Sequence, residues 1–157
     1  MVRGCMTWHG PGYLVRIDGG LDGELYAKIL REDLPATLKD YHIDHRRFIF
    51  QQDNDSKHTC GKARAQLAKM GITLESGRYL GPWPAQSPDL NAIEHLWEHV
   101  KRKLGQYPEG PKGMEKLWER MAREWYNIPK EVCQDLISSM PRRIKAVIDA
   151  KGGYTSY

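Results

Sequence analysis

Segments with strand character and segments with helical spacing take turns along the first hundred residues, and this order restricts the fold more than any other feature. Cys5-Met6-Thr7-Trp8 and Tyr13-Leu14-Val15-Arg16-Ile17 flank the turn-rich His9-Gly10-Pro11-Gly12, which predicts a β-hairpin ended by Asp18-Gly19-Gly20. From Asp22, a suitable N-cap, to about Leu38, the apolar Leu25 and Ile29 recur near helical spacing, with Leu21 and Leu34 beside them. Phe48-Ile49-Phe50-Gln51 is the doubly apolar kind of run that a buried central strand uses. Lys62 to Met70 reads as a helix with Ala63, Leu67 and Met70 on one face and Gly71 as its C-terminal stop. Ile72-Thr73-Leu74 reads as a short strand, and Gly77 to Pro88 as a Gly/Pro-rich loop. Asn91 to Leu104 is an amphipathic helix with Ile93, Leu96, Trp97, Val100 and Leu104 apolar. Two further helical patterns run from about Lys112 to Tyr126 and from Pro129 to Ala150, the second broken at Met140-Pro141. The order hairpin, helix, strand, helix, strand, helices belongs to an α/β domain with a mixed β-sheet, and residues 1–157 suit a single domain.

Composition narrows the setting. At 40% hydrophobic and 28% charged residues the chain is too apolar for disorder and too polar for a membrane protein. No run approaches the ~18 apolar residues of a membrane span, and Met1 to Gly12 lacks the layout of a signal peptide. Cys5, Cys60 and Cys133 lie far apart, without the close pairs of a zinc knuckle or disulfide framework, so a reducing intracellular location, nuclear or cytoplasmic, is expected. Charge is uneven: residues 1–100 hold 12 basic and 13 acidic side chains, residues 101–157 hold 12 and 7. A basic surplus is the footprint of a polyanion partner. Lys101, Arg102, Lys103, Arg142 and Arg143 are candidate phosphate contacts, although basic residues also mark solvated helix ends.

Three places carry chemistry. Asp53 follows directly on the Phe48–Gln52 segment, and in open α/β sheets ligands gather at the carboxyl ends of strands. The competing reading of Asp53-Asn54-Asp55-Ser56 is a plain turn. An EF-hand is excluded, because His58 and Arg64 stand where its glycine and last glutamate belong. Glu94 lies at the start of the helix after Ser87-Pro88-Asp89-Leu90-Asn91, where a capping box with Asn91 would account for it without catalysis. Two carboxylates of this kind suit a hard divalent cation such as Mg²⁺. His95-Leu96-Trp97-Glu98-His99 spells the zinc-hydrolase pattern H-x-x-E-H, with Glu119 or Glu124 as a third ligand. Trp83, in a Pro-rich loop, is a candidate base-stacking or core residue.

Gln51-Gln52-Asp53-Asn54-Asp55-Ser56-Lys57-His58-Thr59, followed by the stretch from Trp83-Pro84-Ala85-Gln86-Ser87 to Glu94-His95-Leu96-Trp97, resembles the catalytic domain of mariner-superfamily DDE transposases. The likeness extends upstream through Gly4–Gly10 and Leu14–Gly19, and downstream through Ser138–Arg143 to Ala150–Gly153. It implies a ribonuclease-H-like fold, here lacking the first strand and carrying extra C-terminal helices, in which three acids bind two Mg²⁺ or Mn²⁺ ions. Asp53 matches the second acid and Glu94 the third. The implied reaction is metal-dependent DNA strand cleavage and strand transfer.

The chain also departs from the family pattern. The first acid belongs on a strand upstream of the segment matching Val2–Trp8, and neither Asp18 nor Asp22 replaces it. Ser56 and Ala92 stand where the family usually has proline, and Glu75–Gly81 looks like an insertion. The paired helix-turn-helix domains that recognise transposon ends have no counterpart, so sequence-specific DNA binding is not expected. With two of three acids, little or no nuclease activity is expected, and a catalytically inactive DNA-binding or protein-interaction remnant is the alternative. An incomplete sheet further predicts self-association.

Overall fold

The computed structural model describes residues 1–84, 87–153, 155 and 156. In chain order the elements are β1 (Val2–Thr7), β2 (Gly10–Arg16), α1 (Gly23–Asp40), β3 (Phe50–Gln51), α2 (Gly61–Lys69), β4 (Tyr79–Leu80), a 3-10 turn (Pro88–Leu90), α3 (Ile93–Leu104), α4 (Met114–Tyr126), α5 (Lys130–Ser138) and α6 (Met140–Asp149). The α/β class and the expected hairpin are present. Its strands form two two-stranded sheets, β1-β2 and the parallel pair β3-β4, in which Phe50 faces Tyr79 and Gln51 faces Leu80. The chain divides into two compact units, the first comprising Met1–Arg3 with Val15–Gln86 and the second Gly4–Leu14 with Ser87–Tyr157.

In the first unit α1 begins as expected, the Asp22 carboxylate accepting from the Leu25 amide at 2.8 Å. Its buried face is turned by one residue from the expected one: Tyr26 and Leu30 enter the core, while Leu25 and Ile29 are half-buried. Tyr26 can be buried because its hydroxyl has a partner, donating to Gln52 Oε1 at 2.5 Å. Tyr26, Leu30, Ala63, Leu67 and Ile72 form this core.

The helix α2 ends in a Schellman motif. Gly71 adopts φ +67, its amide donates to Ala68 O, and the Ile72 amide donates to Leu67 O. Ile72 is therefore buried as the apolar partner of Leu67 in that stop, which corrects its expected strand. Thr73 and Ser76 close a turn through reciprocal side-chain to amide bonds, and the strand comes later, at Tyr79–Leu80. Arg78 ties this segment down, donating to Met70 O, Gly71 O and His45 O and covering the Phe48 ring. The expected insertion at Glu75–Gly81 thus builds part of the sheet. The buried strand expected over Phe48–Gln51 shrinks to two residues, and Ile49 is exposed.

In the second unit Gly4, Gly12 and Leu14, in the strands of the hairpin, meet side chains of α3 and α4. Trp97 and Trp125 stack with ring centroids 4.6 Å apart, and Trp125 Nε1 donates to Gly12 O at 2.8 Å. The Leu14 amide donates to the Tyr126 hydroxyl at 3.1 Å. A β-carbon on Gly4 would lie 2.6 Å from the Trp125 ring, so only glycine fits that point of β1. Leu96, Val100, Trp125 and Cys133 are fully buried here. The break expected at Met140-Pro141 separates α5 from α6.

Candidate active site

Asp53 and Glu94 lie in the first and second unit respectively. Asp53 leaves the end of β3 in a turn built by its own neighbours. The Asp55 amide donates to Asp53 Oδ1 at 3.1 Å, the Lys57 amide to Asp55 Oδ1 at 2.9 Å, and the His58 amide to Asp55 O at 2.9 Å. The turn reading therefore holds for the backbone, yet it leaves Asp53 with a second role, because its Oδ1 also meets Nδ1 of His58. His58 is buried beside Tyr26, ring centroids 4.5 Å apart, whereas the Asp53 side chain is 43% exposed. Burial, followed by the positive charge of Arg3, holds His58 below the ordinary histidine range against the opposing pull of Asp53.

Glu94 stands in the first turn of α3, and its carboxylate is not used for capping. The helix is capped at Ala92 without a side-chain bond, and Glu94 Oε1 accepts instead from the Asn91 side-chain amide at 3.2 Å. This corrects the capping-box reading: the 3-10 turn draws the Asn91 amide to Pro88 O, so Asn91 cannot form the reciprocal pair. Both acids are solvent-accessible carboxylates with only local partners, a hard-oxygen chemistry that suits Mg²⁺ or Mn²⁺. Among the described residues no three His, Cys, Asp or Glu side chains group as a metal-binding cluster.

The zinc reading fails on its own residues. Nε2 of His95 lies 2.8 Å from the Arg143 guanidinium, and Nδ1 of His99 lies 3.2 Å from that of Arg102. A guanidinium only donates, so these ring lone pairs are engaged. The two candidate third ligands are engaged as well, Glu119 with Lys116 at 2.5 Å and Glu124 with the Tyr107 hydroxyl at 2.7 Å.

Of the basic candidates, Lys101, Arg102 and Lys103 are exposed in the last turn of α3, and Arg142 is exposed on α6. Arg143 is corrected. It is only 3% exposed, with Nε on Ser139 Oγ at 2.7 Å and a terminal nitrogen on Asp89 O at 2.7 Å as well as on His95. It is a structural tie between α6, the 3-10 turn and α3. Trp83 is half-buried and its carbonyl accepts from Asn54. Ala85 and Gln86 of the same motif lie outside the described residues. Sequence reasoning missed His58 as the partner of Asp53 and Arg143 as an internal cation, because both bonds join residues that no periodicity connects.

No family model matches the chain. It is 39% identical over 159 residues to the Tc1 transposase of Caenorhabditis elegans, an alignment covering all of this chain and 54% of that protein. Identity to the Tcb1 transposase of Caenorhabditis briggsae is 39% over 161 residues, again all of this chain and 54% of the relative. The chain therefore spans about half the length of these relatives. In fold it matches the Mos1 transposase catalytic domain solved with raltegravir and Mg at a TM-score of 0.84 and 20% identity, covering 99% of this chain and 76% of that one. A Mos1 mariner paired-end complex with Mn matches at 0.79 and 19% identity, over 99% of this chain and 44% of that one. Along its whole length the chain is thus similar in sequence to the Tc1 and Tcb1 transposases, and it carries the α/β, ribonuclease-H-like fold of the Mos1 transposase catalytic domain.

Proposed function

We propose that residues 1–157 act as part of a DDE-type transposase catalytic domain on DNA, in metal-dependent strand cleavage and strand transfer, with Asp53 and Glu94 as two of its metal-binding acids. What carries the reading is the similarity to Tc1 transposase along all of this chain, in which the segments around both acids take part. Bound Mg²⁺ or Mn²⁺ would activate the attacking oxygen and stabilise the leaving one. The exposed carboxylates would hold the ions, and the backbone turn around Asp53 and the helix start at Glu94 would fix the donors in advance. The Mos1 structures solved with Mg and with Mn favour these two ions.

With Asp53 and Glu94 alone assigned as metal-binding acids, the 157-residue polypeptide is expected to nick supercoiled plasmid weakly or not at all in Mg²⁺ or Mn²⁺. Nicking that disappears in Asp53→Ala and in Glu94→Ala would overturn that expectation and support the site. Nicking that survives both substitutions would sink the site assignment.

A second reading, a catalytically inactive DNA-binding remnant of nuclear or cytoplasmic location, draws on the exposed Lys101-Arg102-Lys103 turn and Arg142. It predicts sequence-indifferent DNA affinity that falls steeply with salt, with a log–log slope about 3 units shallower when Lys101, Arg102 and Lys103 are changed to Glu. Fluorescence anisotropy with unrelated duplexes measures this, and an unchanged slope counts against these contacts.

A further inference from the structure

The imidazole of His58 occupies an unusual position for a residue in a surface turn. It is 4% exposed, Nδ1 meets Asp53 Oδ1, and Nε2 is buried with no hydrogen-bond partner among the described residues. Its surroundings hold both the ring and the backbone that carries it. Tyr26 lies against one side, the His58 amide donates to Asp55 O at 2.9 Å, and the His58 carbonyl accepts from Gln52 Nε2 at 3.0 Å. Gln52 is itself buried, fixed by the Tyr26 hydroxyl at 2.5 Å, and directly precedes Asp53. A chain of bonds therefore runs from the core helix α1 through Gln52 and His58 to the exposed carboxylate.

The environment also selects a tautomer. With the proton on Nε2, a buried N–H would have no acceptor and the Nδ1 lone pair would face a carboxylate oxygen; with the proton on Nδ1, the N–H meets Asp53 and only a lone pair is left over. Both hydrogen bonds to Asp53, from His58 and from the Asp55 amide, fall on Oδ1, and Oδ2 accepts none among the described residues. We propose that His58 is a positioning residue for Asp53: as the Nδ1–H tautomer it clamps Oδ1 and leaves Oδ2 to ligate a divalent cation. This inference rests on the reading of Asp53 as a metal-binding acid. Partners that orient a ligating carboxylate typically change metal affinity 10–100-fold when lost.

Two measurements on the 157-residue chain decide it. Long-range ¹H–¹⁵N correlation spectra of protein labelled at histidine nitrogen report the tautomer directly, and protonated Nδ1 with unprotonated Nε2 is expected; the reverse pattern overturns the proposal even if every variant fails to fold. In the second, Mn²⁺ alone is titrated and followed by water-proton relaxation. His58→Asn places an amide donor near the Nδ1 position and should keep affinity within about threefold, whereas His58→Gln places it near Nε2 and should weaken binding at least about tenfold. Equal weakening by both reduces His58 to a packing residue. If Asp53→Asn abolishes binding while His58→Gln does not, positioning fails and the metal-site reading stands. If Mn²⁺ binding does not depend on Asp53 at all, both fall.

Discussion

Burial pushes the Tyr26 phenol up to about 12, because ionising it would place a charge in the core of the first unit. The sign of the consequence is fixed. Above pH 10 the unfolded chain releases this proton while the folded protein keeps it, so stability falls as pH rises from about 10 to 12, by roughly 2–3 kcal/mol at the upper end. Urea unfolding at pH 8 and pH 11 measures the loss. Tyr26→Phe should lessen this alkaline component, yet cost about 1–3 kcal/mol at neutral pH by leaving Gln52 Oε1 without its donor. A Tyr26→Phe protein with the same alkaline loss as the parent would refute the assignment. This tyrosine was not legible as a core residue from spacing alone. Leu25 and Ile29 satisfy the period equally well, and the choice between adjacent faces depends on Gln52, 26 residues away. Asp53 and Glu94 were legible as acids at element ends, but their immediate bonds were not.

At the scale of elements, helices were read closely and strands poorly, for a physical reason. A helix satisfies its backbone within one segment and announces its ends through local features such as the Asp22 cap and the Gly71 stop. The parallel pair β3-β4 is held by partners 29 residues apart, so the choice between Ile72–Leu74 and Tyr79–Leu80 was decided by the Schellman stop and by Arg78 rather than by strand propensity. The hairpin was readable, although it turns at Trp8-His9 and takes Gly10–Gly12 into β2, but its close fit against helices was not. Gly4→Ala tests that fit. Its methyl would have to displace the Trp125 ring, which is itself held by Gly12 O, so destabilisation of about 1–3 kcal/mol or more is expected in a denaturant midpoint series. A change under about 0.5 kcal/mol would show that the indole moves freely, contrary to its bond and burial.

For the whole molecule, the α/β class and the family likeness were visible in the residues, while the grouping into two units was not, since it depends on which core each hairpin segment joins. Among the described residues β1 pairs on one side only, with β2, and it carries no charge beyond Arg3. An unprotected edge of this kind predicts concentration-dependent association, measurable by light scattering across a dilution series. A monodisperse monomer at every concentration would remove the prediction. The partition of the hairpin has a practical consequence for anyone dissecting the protein with proteases or shortened genes. Because Gly4–Leu14 belongs with Ser87–Tyr157, neither unit is encoded by one uninterrupted stretch. A fragment beginning at Ser87 would carry Trp125 and Tyr126 without Gly12 O and the Leu14 amide. Such a fragment should regain order when a synthetic peptide of residues 1–17 is added in trans, as in split-protein complementation.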